Sequence, residues 1–219
     1  MNTRSIRSIV FFFAVLALAL VVPEARAASV QVRAGAGGLT GKNSQSGNFQ
    51  REGVDVFIYE GRRVELFVGA ELTSTKNAST GTDNNNGPSS TPINYSLDMT
   101  TATFGLRFKP AVSGRWRPYL ALGVVAGKAD YKADVSGQAN ILLLSTANGS
   151  TNFISPRVGL GMDVGLGEQW SIGIEATFTK SSPTFNVVVA DFNTGQIEDR
   201  ELNKSADMLG ATLGLRYAF

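Results

Sequence analysis

The sequence predicts an all-β fold: eight antiparallel strands closed into an up-and-down transmembrane β-barrel. Three observations carry that prediction. The last eleven residues, Leu209 to Phe219, alternate without error and end on an aromatic. Seven earlier segments alternate in the same way. The links between the eight are short and long in turn. Successive side chains of a strand point to opposite faces, so each segment has one apolar side and one small or polar side.

The N-terminus reads as an export leader. Arg4 and Arg7 precede an uncharged run from Ile9 to Val22, and Ala25-Arg26-Ala27 supplies a small-x-small cleavage pattern. That run is too short for a spanning helix. Residues 1–27 are therefore expected to be removed, leaving 28–219 as a single barrel domain.

The first strand, Ser29 to Gly37, sets Val30, Val32, Ala34 and Ala36 against Gln31, Arg33 and Gly35. A short second strand, Gly53 to Tyr59, carries Val54, Val56 and Ile58 opposite Asp55. The third, Val64 to Thr73, opposes Val64, Leu66, Val68, Ala70 and Leu72 to Glu65, Phe67, Gly69 and Glu71. The fourth opposes Ala102, Phe104, Leu106 and Phe108 to Thr101, Thr103, Gly105 and Arg107. In the fifth, Trp116 to Tyr131, the outward set is Leu120, Leu122, Val124 and Ala126, with Tyr119 and Val125 breaking the pattern. The sixth pits Val158, Leu160, Met162 and Val164 against Arg157, Gly159, Gly161 and Asp163. The seventh pits Trp170, Ile172, Ile174, Ala176 and Phe178 against Ser171, Gly173, Glu175 and Thr177. The eighth is the closing strand, with Leu209, Leu213, Leu215, Tyr217 and Phe219 opposite Gly210, Thr212, Gly214 and Arg216.

Links after the second, fourth and sixth strands are short: Glu60 to Arg63, Lys109 to Arg115, and Gly167 to Gln169. The other links, near 39–52, 74–96, 132–153 and 181–203, are long and polar. A single-chain outer-membrane barrel sorts its connections this way, with turns in the periplasm and loops outside. Both termini are then periplasmic, and the outer membrane of a Gram-negative bacterium is the expected location. In the longest loops, Phe185 to Val189 before Asn193-Thr194-Gly195 reads as a hairpin standing above the membrane, and Ile141 to Leu144 as the packed interior of a loop.

Lipid outside implies a lumen inside. Arg33, Asp55, Glu65, Glu71, Arg107, Arg157, Asp163, Glu175 and Arg216 all point inward by parity. They are expected to form an interior salt-bridge network. Glu65 with Arg107, Glu175 with Arg216, and Arg33 with Asp55 are the neighbouring-strand pairs that parity suggests. Inward glycines, among them Gly69, Gly105 and Gly161, leave room for small water pockets. Eight strands are too few for a wide channel. Phe108, Trp116, Trp170 and Tyr217 are expected at the inner membrane interface and Phe178 near the outer one, where amphipathic rings prefer the headgroup layer.

Composition narrows the function. Removing Arg4, Arg7 and Arg26 from the 20 basic residues and Glu24 from the 18 acidic ones leaves the exported chain neutral. A nucleic-acid partner, which needs a basic face, is not expected. The chain has no histidine and no cysteine, so Ser-His-acid hydrolysis, thiol nucleophiles and histidine-bound metals are excluded. No enzyme activity, cofactor or metal is expected, and the loop acids Asp83, Asp191 and Glu198 to Glu201 lack calcium-ligand spacing.

Some segments resemble known barrels. Arg117 to Gly123 (RPYLALG) is similar to a strand of OmpW-like proteins, and Ser155 to Ala176 resembles the glycine-rich hairpin of OmpA- and OmpX-like barrel domains. Leu215, Tyr217 and Phe219 resemble the terminal signal read by the barrel-assembly machinery. The resemblance implies a monomer among outer-membrane lipid and lipopolysaccharide, assembled by that machinery. Its role would be envelope integrity or contact with an extracellular ligand through the loops. OmpW-like passage of small hydrophobic molecules is the alternative.

Overall fold

The computed structural model describes residues 29–40, 45–80, 93–110, 114–135, 141–143, 147–180, 184–191, 196–203 and 207–219. The expected leader, its cleavage site and Asp83 lie outside them. The strands are β1 (Ser29–Thr40), β2 (Gln45–Glu60), β3 (Val64–Thr80), β4 (Ile93–Phe108), β5 (Trp116–Val135), β6 (Ile141–Leu143), β7 (Ala147–Gly165), β8 (Trp170–Thr179), β9 (Thr184–Asp191), β10 (Gln196–Asn203) and β11 (Asp207–Ala218).

Eight of these close a barrel in the order β1-β11-β8-β7-β5-β4-β3-β2, every pair antiparallel. The register fixes the shape. Stepping from Ser29 to Phe57, Phe67, Gly105, Gly123, Arg157, Thr179 and Met208 returns to β1 at Leu39, ten residues further on. Eight strands with that stagger tilt by roughly 40° and leave a bore only wide enough for side chains.

Tight turns join β2 to β3 and β7 to β8. The Gly61 N–H donates to the Val64 carbonyl at 2.8 Å, and the Leu166 N–H to the Trp170 carbonyl at 2.8 Å. Gly114, just before β5, has φ +142°, a conformation that side-chain-bearing residues rarely adopt. A bulge between Phe57 and Tyr59 adds a residue to β2 at the turn and leaves Ile58 and Tyr59 both exposed.

The strands run well past the lengths that alternation alone suggests. The second is 16 residues long, not seven, and β5 has 20. At 3.3 Å per residue and the tilt above, β5 rises about 50 Å, roughly twice the apolar band of an outer-membrane barrel. The reason is a reversal of polarity. Through most of each strand the outward residues are apolar, as with Phe104, Leu122, Leu160, Ile174 and Leu213. Beyond Ala126, the outward residues of β5 become Lys128, Asp130 and Lys132, and their neighbours on β7 are Asn152 and Ser150. The inward positions at this height are mostly apolar, Leu39, Phe49, Leu97, Met99, Ala129, Phe153 and Met208, with Thr73, Thr75 and Thr179 among them, all buried. The upper barrel is thus built like a water-soluble one, apolar inside and polar outside.

A second, three-stranded sheet has the order β10-β9-β6. The β9–β10 hairpin pairs Thr184–Asp191 with Gln196–Asn203, and Leu142 of β6 pairs with Ala190. In chain order β6 leads into β7, β9 follows β8 and β10 leads into β11, so the small sheet repeats the neighbour order of that part of the wall.

Candidate functional site

Among the described residues, charged side chains concentrate away from water in the lumen, and the pleat puts them there. Arg33, Asp55, Glu65, Glu71, Arg107, Arg157, Asp163, Glu175 and Arg216 are all buried, none more than 7 % exposed. Each neighbours an apolar outward residue on its own strand, so a strand cannot expose one face to hydrocarbon without turning these inward.

They form one continuous chain of ion pairs. Asp55 Oδ2 lies 2.9 Å from Arg33 Nε, and Arg33 Nη1 reaches Glu71 Oε2. The same Glu71 oxygen receives Arg157 Nη1 at 3.0 Å, while Arg51 Nε stands 3.8 Å from Oε1. The Thr73 hydroxyl donates to Glu71 Oε1 at 3.2 Å. Arg157 Nη2 continues to Glu175 Oε1 at 3.3 Å, and Arg107 Nη2 meets Glu175 Oε2 at 3.2 Å. The Tyr119 hydroxyl donates to that oxygen at 2.9 Å. Asp163 Oδ2 links Arg107 Nη1 at 3.6 Å with Arg216 Nη1 at 3.7 Å. Arg216 Nη2 ends the chain on Glu65 at 3.0 Å and Glu60 at 2.8 Å, with Lys109 Nζ 2.8 Å from Glu65.

Two of the neighbouring-strand pairs are not the pairs that form. Glu65 and Arg107 do stand opposite each other in the register. Yet Glu65 takes Arg216 and Lys109, while Arg107 takes Glu175 and Asp163. Arg216 stands opposite Ser171, and Glu175 opposite Thr212, so those two are four residues out of step. Of the three suggested pairs, only Arg33 with Asp55 forms. The bore is so narrow that a guanidinium spans it. Arg157 on β7 reaches Glu71 on β3, and Arg107 on β4 reaches Glu175 on β8.

Aromatic rings and amides complete the filling. Arg107 lies 4.2 Å from the Tyr119 ring centroid and 4.7 Å from that of Phe57, and Arg216 covers the Phe57 ring at 3.8 Å. Arg51 stacks on Phe49 at 4.6 Å and donates to Thr177 Oγ1 at 2.8 Å. Gln31 Oε1 accepts from Arg107 Nη2 at 2.9 Å. The room left by inward glycines is taken by side chains: Asp55 lies over Gly69, Phe67 over Gly105, Tyr119 over Gly161 and Gln31 over Gly214. At the end bearing the short turns the lumen narrows to a polar cleft of about 80 Å³, lined by Glu60, Glu65, Lys109, Arg117, Asp163 and Arg216.

Arg51, Phe49, Phe57, Phe67, Tyr119 and Gln31 were not among the candidate residues. Phe57 and Phe67 are apolar at polar positions of the alternation, and Arg51 and Phe49 precede the stretch that reads as a strand. Parity extended back past Gly53 would have found the last two.

The chain balances its interior charge. Arg33, Arg51, Arg107, Arg157, Arg216 and Lys109 face Asp55, Glu60, Glu65, Glu71, Asp163 and Glu175, equal in number. Above this layer sits the apolar storey of Leu39, Phe49, Leu97, Met99, Phe153 and Met208. The two layers are stacked in the bore. On the outside, Phe108, Trp116, Trp170 and Phe178 are exposed, and Tyr217 is half-buried between Trp170, 4.8 Å away, and Phe219, 5.1 Å away edge-on. Leu215 on β11 and Phe219 just past its end are exposed. Among the described residues no group of histidine, cysteine or carboxylate side chains is placed to hold a metal.

Comparison with known proteins agrees with this architecture. The family model described as "Outer membrane protein beta-barrel domain" matches residues 12–219. The chain is similar to the outer membrane protein OprG of Pseudomonas aeruginosa, with 12% identity, a TM-score of 0.58, and 87% of this chain and 95% of that one covered. A major outer membrane protein of Thermus thermophilus is similar at 15% identity and TM-score 0.54, covering 89% and 100%. Neisserial surface protein A is similar at 15% identity and TM-score 0.50, covering 89% and 99%. At such identities the likeness is one of fold. No curated protein matches the sequence.

Proposed function

This chain belongs to the outer membrane protein beta-barrel family and lies in the outer membrane, and from that premise we propose that it is a sealed barrel that displays its loops at the cell surface. The observation that carries this reading is the double filling of the lumen. A neutral ionic chain spans the bore through the membrane, and an apolar storey closes it above. An ion entering from outside would have to shed its water against Leu97, Met99 and Phe153, then displace a paired guanidinium. Both steps are costly at low dielectric.

The role is envelope integrity or surface contact, not catalysis. Residues 1–27 are an export leader, both termini and the short turns are periplasmic, and the barrel-assembly machinery reads Leu215, Tyr217 and Phe219. A monomer is sufficient, since the site is complete within one chain. Long strands that rise past the lipid, with the β6–β9–β10 sheet beyond, form a rigid pedestal for an extracellular ligand.

Planar-bilayer recording of the purified protein tests the sealed lumen. No steady channel is expected, and a large, stable conductance would refute the reading. Passage of small hydrophobic molecules is favoured by one feature, the apolar storey that such a solute could wet. The charged layer beneath it offers no apolar route onward, so uptake by vesicles containing the protein is expected to equal that of empty vesicles.

A further inference from the structure

The exported chain is neutral overall, yet its charge is not evenly spread. Inside, cations and carboxylates cancel. The short turns carry Arg62, Arg63, Lys109, Arg115 and Arg117 against Glu60 and Glu168, an excess of three positive charges. An equal excess of acid therefore lies at the long-loop end.

Lys109 is engaged by Glu65 at 2.8 Å. Arg62, Arg63, Arg115 and Arg117 are exposed, and among the described residues none has an ion-pair partner. This contrasts with the lumen, where every arginine meets a carboxylate. The turns are also tied together. The Lys109 N–H donates to the Arg63 carbonyl at 2.7 Å, and the Gly165 N–H to the Arg115 carbonyl at 3.1 Å. Val64 pairs with Phe108, and Phe108 with Leu120, so the guanidiniums share one rim.

Their depth says what could neutralise them. Trp116 lies between Arg115 and Arg117 and is 58 % exposed, and Tyr59, next to the other turn, is equally so. Rings of this kind settle at the headgroup layer. Guanidiniums beside them sit level with phosphates, which a planar fork of N–H donors binds in bidentate fashion. We propose that Arg62, Arg63 and Arg115, with Trp116, form a binding rim for the phosphodiester headgroups of anionic phospholipid in the inner leaflet of the outer membrane. The inference rests on the periplasmic assignment of the short turns. It gives the barrel a lipid-selective foot, held by headgroups below as the acidic loops face outward.

Native mass spectrometry of the full-length, detergent-solubilised protein tests it, with phosphatidylglycerol, cardiolipin or phosphatidylcholine added as probes. The wild type is expected to retain the two anionic lipids in preference to phosphatidylcholine. Each arginine removed in the series Arg62→Gln, Arg63→Gln and Arg115→Gln should lower that preference about fivefold, the worth of one basic residue near an anionic surface. The triple lysine variant should keep only part of it, since lysine restores the charge without the bidentate fork. Heat-dependent gel mobility identifies any variant that fails to fold, and the single substitutions then replace it. Equal retention of all three lipids by the wild type overturns the proposal. So does binding to isolated peptidoglycan that the triple glutamine variant loses while its lipid preference stays unchanged. Topology is read separately. Gly167 has open space around it, so Gly167→Cys supplies the sole thiol of the chain. A bulky impermeant maleimide should label it only after the outer membrane is breached. Labelling on intact cells would defeat the periplasmic assignment itself, which is a different failure from absent lipid preference.

Discussion

Glu71 is the residue on which most of the lumen depends. Its two carboxylate oxygens meet Arg33, Arg51 and Arg157, which come from three strands. Glu71→Gln keeps the shape and removes the charge, leaving three buried guanidiniums with too little anion between them. Removing one partner of a buried ion pair costs about 3–5 kcal/mol, since the other charge cannot regain water. Urea unfolding of the protein in lipid vesicles should show a loss of that order. Lys128 and Asp130, exposed and 2.9 Å apart, give the contrast. Lys128→Ala is expected to change stability by less than about 1 kcal/mol in the same assay. Gly161 makes a steric case, because a Cβ there would drive into the Tyr119 ring. Gly161→Ala is expected to cost about 1–3 kcal/mol by overpacking, and a Tyr119→Phe background, which keeps the ring, should not relieve it.

At the scale of a strand, alternation has two different meanings along one chain. On β4, Phe104 and Ala102 point out while Arg107 and Thr103 point in. Further along the same strand, Asp98 points out while Met99 and Leu97 point in. Parity holds along β4; only the solvent changes. The pattern reads as a strand that stops near Thr101, because its apolar residues switch sides there. A reversed alternation such as Leu97-Asp98-Met99-Thr100 is the mark of a strand leaving the membrane, and it was present to be read. Met99→Asp should therefore loosen the upper storey and leave the membrane part closed. Protease added to intact cells is expected to clip the loops of this variant faster than those of the wild type, with the membrane core still protected. The closing strand carries a separate expectation. Phe219→Ser removes an outward aromatic that contacts Tyr217, and less of the protein should reach the outer membrane, as immunoblots of membrane fractions would record. Wild-type levels of this variant would count against a terminal assembly signal.

For the whole molecule, closure governs behaviour. Every barrel strand has two partners, so no edge is left among them for detergent to peel. The unheated protein is expected to migrate differently from the boiled one on a detergent gel, and loss of that shift in Glu71→Gln would place the network among the forces that hold the barrel shut. Strand number and inward parity of the nine lumen charges were legible without coordinates, but the sorting of links was not fully so, since the first long link shrinks to residues 41–44 between β1 and β2. The first two depend only on period-two geometry and on the energetic bar against polar groups in hydrocarbon, both of which act locally along a chain. Beyond Arg33 with Asp55, which arginine meets which carboxylate was not legible. A stagger of ten residues around eight tilted strands displaces partners from their apparent levels, and a long guanidinium crosses the bore as easily as it reaches its neighbour. Likewise, only closure brings Phe57 and Tyr119 under Arg107, or lays the rings and amides of one strand over the glycines of the next. Sequence alone determined a barrel with a charged interior, while its tertiary structure decided that the interior is one balanced, continuous chain under an apolar cap, because pairing across a lumen depends on distances that no single strand contains.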